Sequence, residues 1–266
     1  MTYLALTSYN GRMQPPFPSG LTPGAARRQA VLLLLFLYSI VYGGGFLIGG
    51  VSNRIAALVA SAFVLGALML LVTALFVRHD ASWRESLGLE NRPAGSTLGW
   101  SLLGFIGTYA ANLLLLIAYL AAEGNLEALA ARKMSTLGKF AEVPAGMALA
   151  LVAFAAIWEE IVFRGFLLGR LRAAMPMRDS RGAALCRDVL AVVLTALVFG
   201  TGHGYQGVLG LVQTAVAGVA LGALTIWRKS LWPAIGAHLL IDAFGFAMLK
   251  LLKPMLDAVA SRSAGF

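Results

Sequence analysis

Two adjacent carboxylates and an arginine, Glu159, Glu160 and Arg164, interrupt a run that reads MALALVAFAAIW before them and GFLLG after them. An ionised group at the centre of a bilayer-spanning helix costs about 3 kcal/mol on insertion scales, and such groups are as a rule paired and functional. Three more ionisable residues fall in apolar stretches further on: His203, His238 and Asp242. Residues four apart share a helix face, so Glu160 can pair with Arg164, Phe199 can pack beside His203, and His238 stands over Asp242. Glu159 and Glu160 point about 100° apart. The economical reading has Arg164 neutralise Glu160 and leaves Glu159 to face His203 and His238 across a polar pocket.

Two chemistries use this set. In the first, Glu159 and His203 take a proton from a water that attacks a peptide carbonyl, while His238 and Asp242 stabilise the oxyanion without any metal. In the second, Glu159, His203 and His238 hold zinc and leave a position open for water. The sequence has no H-E-x-x-H pair on one helix, so the metal-free chemistry is preferred. The plain alternatives are a structural ion network for Glu159, Glu160 and Arg164, a turn residue for His203, and a helix-to-helix hydrogen bond for His238.

The elements that must position these residues are membrane helices. Of 266 residues, 59% are hydrophobic and 12% charged, with a mean hydropathy of +0.80. A soluble domain carries about 25% charged residues. Apolar segments occupy residues 30–50, 55–77, 98–122, 144–169, 189–203, 208–227 and 231–249, each long enough to cross about 30 Å of hydrocarbon or close to it. Residues 189–227 contain no Lys, Arg, Asp or Glu; as one helix those 39 residues would measure about 58 Å, too long for one crossing. The break falls at the glycine-rich stretch 200–207, where His203 sits between Gly202 and Gly204. Gly218 and Gly222 give a small-xxx-small spacing suited to close helix approach. Thr108 and Asn112 are expected to bond a neighbouring helix, and Trp100, Trp158, Trp227 and Trp232 to act as interfacial or packing aromatics.

The net charge of +9 does not point to nucleic acid, because the basic residues cluster in short loops between apolar runs, the pattern that orients a chain in anionic lipid. With the amino terminus inside and seven crossings, thirteen basic residues lie inside and six outside. The most basic inside loop carries Arg170, Arg172, Arg178, Arg181 and Arg187. Residues 125–140 could form an interfacial amphipathic helix, and the tail from Lys250 is amphipathic or a short eighth crossing. The single Cys186 excludes an intrachain disulfide.

Three motifs in order, Glu159-Glu160 with Arg164, Phe199 with His203, and His238 with Asp242, resemble the CPBP family of CAAX prenyl proteases, bacteriocin-processing enzymes and related bacterial Abi proteins. The stretch RKSLWPAIGAHLLID resembles the family's approach to its last histidine. The similarity covers about residues 145–249; the earlier segments match only as membrane spans. The family's last motif more often ends in asparagine, so Asp242 is a mild departure. The resemblance implies an intramembrane endopeptidase with Glu159, Glu160, Arg164, His203, His238 and Asp242 as its site and Phe199 shaping the substrate pocket. It leaves open a metalloprotease with zinc on Glu159, His203 and His238.

The expectation is therefore an all-α polytopic membrane bundle of about seven to eight transmembrane helices. Residues 1–26 would be a disordered cytoplasmic tail and 27–266 a single polytopic domain with the protease core at 145–249. Partners are the lipid bilayer and a peptide or lipidated peptide, and the membrane is the bacterial inner (plasma) membrane. The competing class is a non-enzymatic immunity or scaffold protein, or a proton-coupled transporter. A transporter is disfavoured because only one broken region is visible instead of an inverted pair.

Overall fold

The computed structural model describes residues 21–48, 55–90, 92–125, 128–129, 137–175 and 180–263, and among these every regular element is helical. Helix α1 spans Pro23–Ile48, α2 Ile55–Val77, the single turn α3 Trp83–Ser86, and α4 Ala94–Glu123. After a 3-10 turn at Gly138–Glu142, α5 (Ala145–Glu159) runs without interruption into a π-helical stretch, Glu160–Leu167, and then α6 (Leu168–Ala174). Helix α7 (Arg181–Gly202), a 3-10 turn at Gly204–Gln206, α8 (Gly207–Arg228) and α9 (Trp232–Ser263) complete the chain.

Six of these helical rods are long and apolar enough to cross a membrane: Val59–Val77, Ala94–Ala122, Ala145–Ala174, Arg181–Gly202, Gly204–Arg228 and Trp232–Met255. The protein is an integral multi-pass membrane protein. Leucines and valines stay exposed on the outer faces of α2, α4 and α7, as lipid-facing side chains must. Helix α1 is a further long rod of 26 residues.

The rod formed by α5, the π stretch and α6 is the one that the others surround. It packs on α2 and α9 along its first half and on α1 and α7 along its second. Its core is a cluster of Trp158, Val162, Phe163, Phe166 and Leu167 with Leu33 and Leu37 of α1 and Met69 of α2. Helices α7 and α8 form an antiparallel hairpin joined at the glycine-rich turn, and α4 lies against α8 and α9. The expected role of Gly218 and Gly222 is realised there: a Cβ on Gly218 would fall 2.9 Å from the Cα of Ala196, and one on Gly222 would fall 3.2 Å from Val192. Gly218→Val should accordingly cost about 1–3 kcal/mol by overpacking. Gly99, whose Cβ would meet nothing within 4 Å, should tolerate alanine or gain slightly. Thermal unfolding of the two variants in detergent separates them.

The structure corrects the sequence reading in several places. Residues 23–26, expected in the tail, open α1; residues 1–20 lie outside the described residues. The most basic loop is largely helix: α7 begins at Arg181, and Arg170 and Arg172 are buried on α6. Arg170 pairs with Asp80 at 2.7 Å and donates to Gln29 at 2.7 Å, and Arg172 forms a two-pronged pair with Asp188 at 2.8 and 2.9 Å. Asp80 stands in the polar link after α2 and Asp188 near the start of α7, and neither position announces in linear sequence which arginine it meets. The tail from Lys250 is no separate crossing, because α9 continues through Pro254 to Ser263. Of the expected interfacial helix at 125–140, residues 126–127 and 130–136 lie outside the described residues, and its end is the 3-10 turn. The link after α2 is no free loop. Leu87 is buried, Leu231 N–H bonds to Gly88 O at 2.8 Å, and Gly165 lies so close that a Cβ would meet Leu87 O at 3.1 Å.

Candidate active site

Glu160 sits at the first position of the π-helical stretch and is fully buried together with Arg164. π-helical turns are rare and appear mostly at functional sites. One oxygen, Glu160 Oε1, accepts from Arg164 Nη1 at 2.7 Å and lies 2.7 Å from His238 Nδ1. A carboxylate oxygen held by a guanidinium is an acceptor, so Nδ1 of His238 carries the hydrogen and its Nε2 is directed elsewhere. Nε2 lies 3.4 Å from Asp242 Oδ2 and 3.8 Å from Glu159 Oε2. The expected pairing of Glu160 with Arg164 is present, as is the stacking of His238 with Asp242. Asp242, however, is not what orients His238 through Nδ1; Glu160 does that from the neighbouring helix.

Exposure divides the residues into two layers. Glu160 and Arg164 are at 0% and 1%, whereas the side chains of Glu159 and Asp242 are at 13% and 33%. Glu159, Asp242 and the Nε2 edge of His238 thus form the more open layer, and Glu160 and Arg164 lie buried behind them. The remaining atoms Glu160 Oε2 and Arg164 Nη2 are buried with no hydrogen-bond partner among the described residues.

His203 stands at the end of α7, where the helix gives way to the 3-10 turn. Its Nδ1 lies 3.0 Å from Phe199 O. A carbonyl only accepts, so Nδ1 carries the hydrogen and Nε2 of the neutral ring is left as a base. Phe199 connects the layers: its ring lies 4.9 Å from the His203 ring and 6.0 Å from the His238 ring, centroid to centroid, with the Arg164 guanidinium 4.1 Å above it. At 3% exposure Phe199 lies within the core. By this packing the histidine at the end of its helix is tied to the mid-membrane carboxylates.

Among the described residues no group of three or more His, Cys, Asp or Glu is placed to hold a metal ion.

Two tyrosines escaped the sequence reading. Tyr205, in the turn after His203, has its ring 6.0 Å from the imidazole. Tyr109 on α4 donates to Ile241 O at 3.2 Å and so fastens α9 one residue before Asp242. Thr108 and Asn112, expected to do such bonding, leave Oγ1 and Oδ1 buried without a partner among the described residues. A phenol in an apolar span was the available signal. Tyr109→Phe is expected to cost about 1 kcal/mol of stability, the usual net worth of one hydrogen bond, as read by thermal unfolding in detergent.

Residues 141–244 match the family model Rce1-like, type II CAAX prenyl endopeptidase. The match is consistent with the CPBP family. It begins four residues before α5 and ends two residues after Asp242, so the Rce1-like region takes in every residue of the site and nearly coincides with the 145–249 core expected from the motifs. The matched stretch is similar to an endopeptidase family, and it lies within membrane-spanning helices. No curated protein and no solved structure matches the chain significantly.

Proposed function

We propose that this protein is an intramembrane endopeptidase that hydrolyses a peptide bond presented at or within the bilayer by means of a glutamate- and histidine-activated water. The observation that carries the reading is the two-layer site: Glu159 and Asp242 partly open beside His238 Nε2, with Glu160 and Arg164 locked behind. Glu159 and the free Nε2 of His203 take the proton as the water oxygen bonds to the scissile carbonyl carbon. His238, held through Nδ1 by the Glu160 carboxylate, donates from Nε2 to the oxyanion beside Asp242. Collapse breaks the C–N bond, and the proton held by the base passes to the leaving amine, so no external reagent is consumed. Glu159, His203, His238 and Asp242 are the catalytic residues of this scheme. The Rce1-like match supports a substrate that is a prenylated CAAX peptide; a bacteriocin leader or another lipidated peptide has the same amphiphilic character.

The distribution of basic residues supports an amino terminus on the cytoplasmic side, and the membrane we assign is the bacterial inner (plasma) membrane. The test is hydrolysis of a fluorogenic peptide library, with and without a farnesyl cysteine, by the detergent-solubilised full chain in the presence and absence of a chelator. Cleavage that survives chelation supports the metal-free scheme. Loss restored by zinc overturns it in favour of zinc on Glu159, His203 and His238. Proton-coupled uptake into proteoliposomes without cleavage would replace the peptidase reading with a transporter.

A further inference from the structure

Away from the candidate active site, a small open-mouthed recess is lined by Arg92, Ser96, Thr97, Arg228, Ser230 and Pro233. It lies where α4 and α9 begin and α8 ends, at one end of three membrane spans. The first N–H groups of a helix lack intrahelical acceptors and carry the positive end of the helix dipole. At α4 they are met by neither a capping side chain nor an acidic residue in the first turn, and α9 likewise has no acidic residue there. Arg228 Nη2 donates to Ser96 Oγ at 3.3 Å, and its guanidinium lies 4.6 Å from the Trp100 ring centroid. Arg92 Nη2 donates to Lys229 O at 3.2 Å, with Glu90 Oε2 at 3.8 Å as the one nearby carboxylate contact. Each guanidinium thus has donors to spare. An independent observation points to a ligand: Ser230, only 1% exposed and part of the recess wall, has a hydroxyl with no hydrogen-bond partner among the described residues. An orphaned buried hydroxyl costs about 1–3 kcal/mol, so it calls for an acceptor.

We propose that this recess is a phosphate-binding site that takes the headgroup phosphate of a membrane lipid. Two arginines, two helix amino termini and an unsatisfied serine hydroxyl form a donor-rich cradle, which suits the acceptor oxygens of a phosphate. Depth argues for a lipid over a free anion: Trp227 and Trp232, at 66% and 41% exposure, flank the recess as interfacial aromatics do at headgroup level. The site is independent of the peptidase reading.

The experiment is native mass spectrometry of the full chain released from detergent, titrated with phosphatidylglycerol, with diacylglycerol lacking the phosphate, and with inorganic phosphate as competitor. Phosphatidylglycerol should bind saturably and diacylglycerol should not. Arg92→Gln and Arg228→Gln should each weaken binding about five- to tenfold. Ser230→Ala carries the sharpest signature, because it should weaken binding several-fold yet raise the melting temperature of the lipid-free protein by removing an unpaired hydroxyl. Should Arg228→Gln lose its packing on Trp100 and fail to fold, Arg92→Gln and Ser230→Ala still decide. Competition by inorganic phosphate alone, with no lipid bound, would make the ligand a free phosphate. Equal binding of diacylglycerol, or unchanged affinity in Arg92→Gln and Ser230→Ala, overturns the site.

Discussion

Glu159→Gln is expected to cripple peptide hydrolysis while leaving the fold intact. The amide has the shape of the carboxylate but cannot accept the proton of the attacking water, so kcat is expected to fall on the order of 10²–10⁴-fold, the usual worth of a positioned general base. KM should change little, because Glu159 acts on the water and its side chain is only 13% exposed. His203→Asn should produce a loss of similar size. The two effects should not add, since residues that act on one proton fail as a unit. Single-turnover kinetics with the best peptide from the library, alongside thermal unfolding of each variant, provide the check. A Glu159→Gln protein with wild-type kcat ends the mechanism, and one that is inactive only because it melts far below the wild type reduces Glu159 to a structural ion-pair member.

Much of this site could be read from residue type and spacing, and the reasons are specific. Charges inside apolar runs are costly enough that Glu159, Glu160 and Arg164 stood out without any alignment, and the four-residue spacings to Arg164, His203 and Asp242 fixed which neighbours share a face. The 39-residue run without charge could not be one crossing, which located the α7–α8 turn and its histidine. What stayed hidden was contact between helices distant in sequence. The contact of Glu160 with His238 depends on the chain folding back across a separation of 78 residues to bring Nδ1 within 2.7 Å, and no local pattern encodes it. Arg170 and Arg172 looked like loop charges because Asp80 and Asp188 are recognisable as partners only once α1, α6 and α7 are packed. The π-helical stretch was equally invisible, since its side-chain pattern differs little from that of an α-helix over two turns.

The buried layer makes the second large prediction, and it separates positioning from mere structure. Glu160→Gln strands the Arg164 cation with little besides the Phe199 ring 4.1 Å away, so the variant should lose about 3–5 kcal/mol of stability. Arg164→Met should cost less, because Glu160 keeps His238 as a partner at 2.7 Å. The double variant carries neither buried charge and should recover most of the stability, giving a large favourable coupling in a double-mutant cycle. Its activity should not recover with its fold. A glutamine can still accept from Nδ1, but it has no charge to stabilise the imidazolium that donates to the oxyanion, and kcat is expected to stay down on the order of 10²-fold. Melting temperatures and kcat for the four proteins of the cycle are the measurement. Should stability and kcat return together in the double variant, Glu160 and Arg164 are only a membrane-buried ion pair, and His238 owes its catalytic orientation to Asp242.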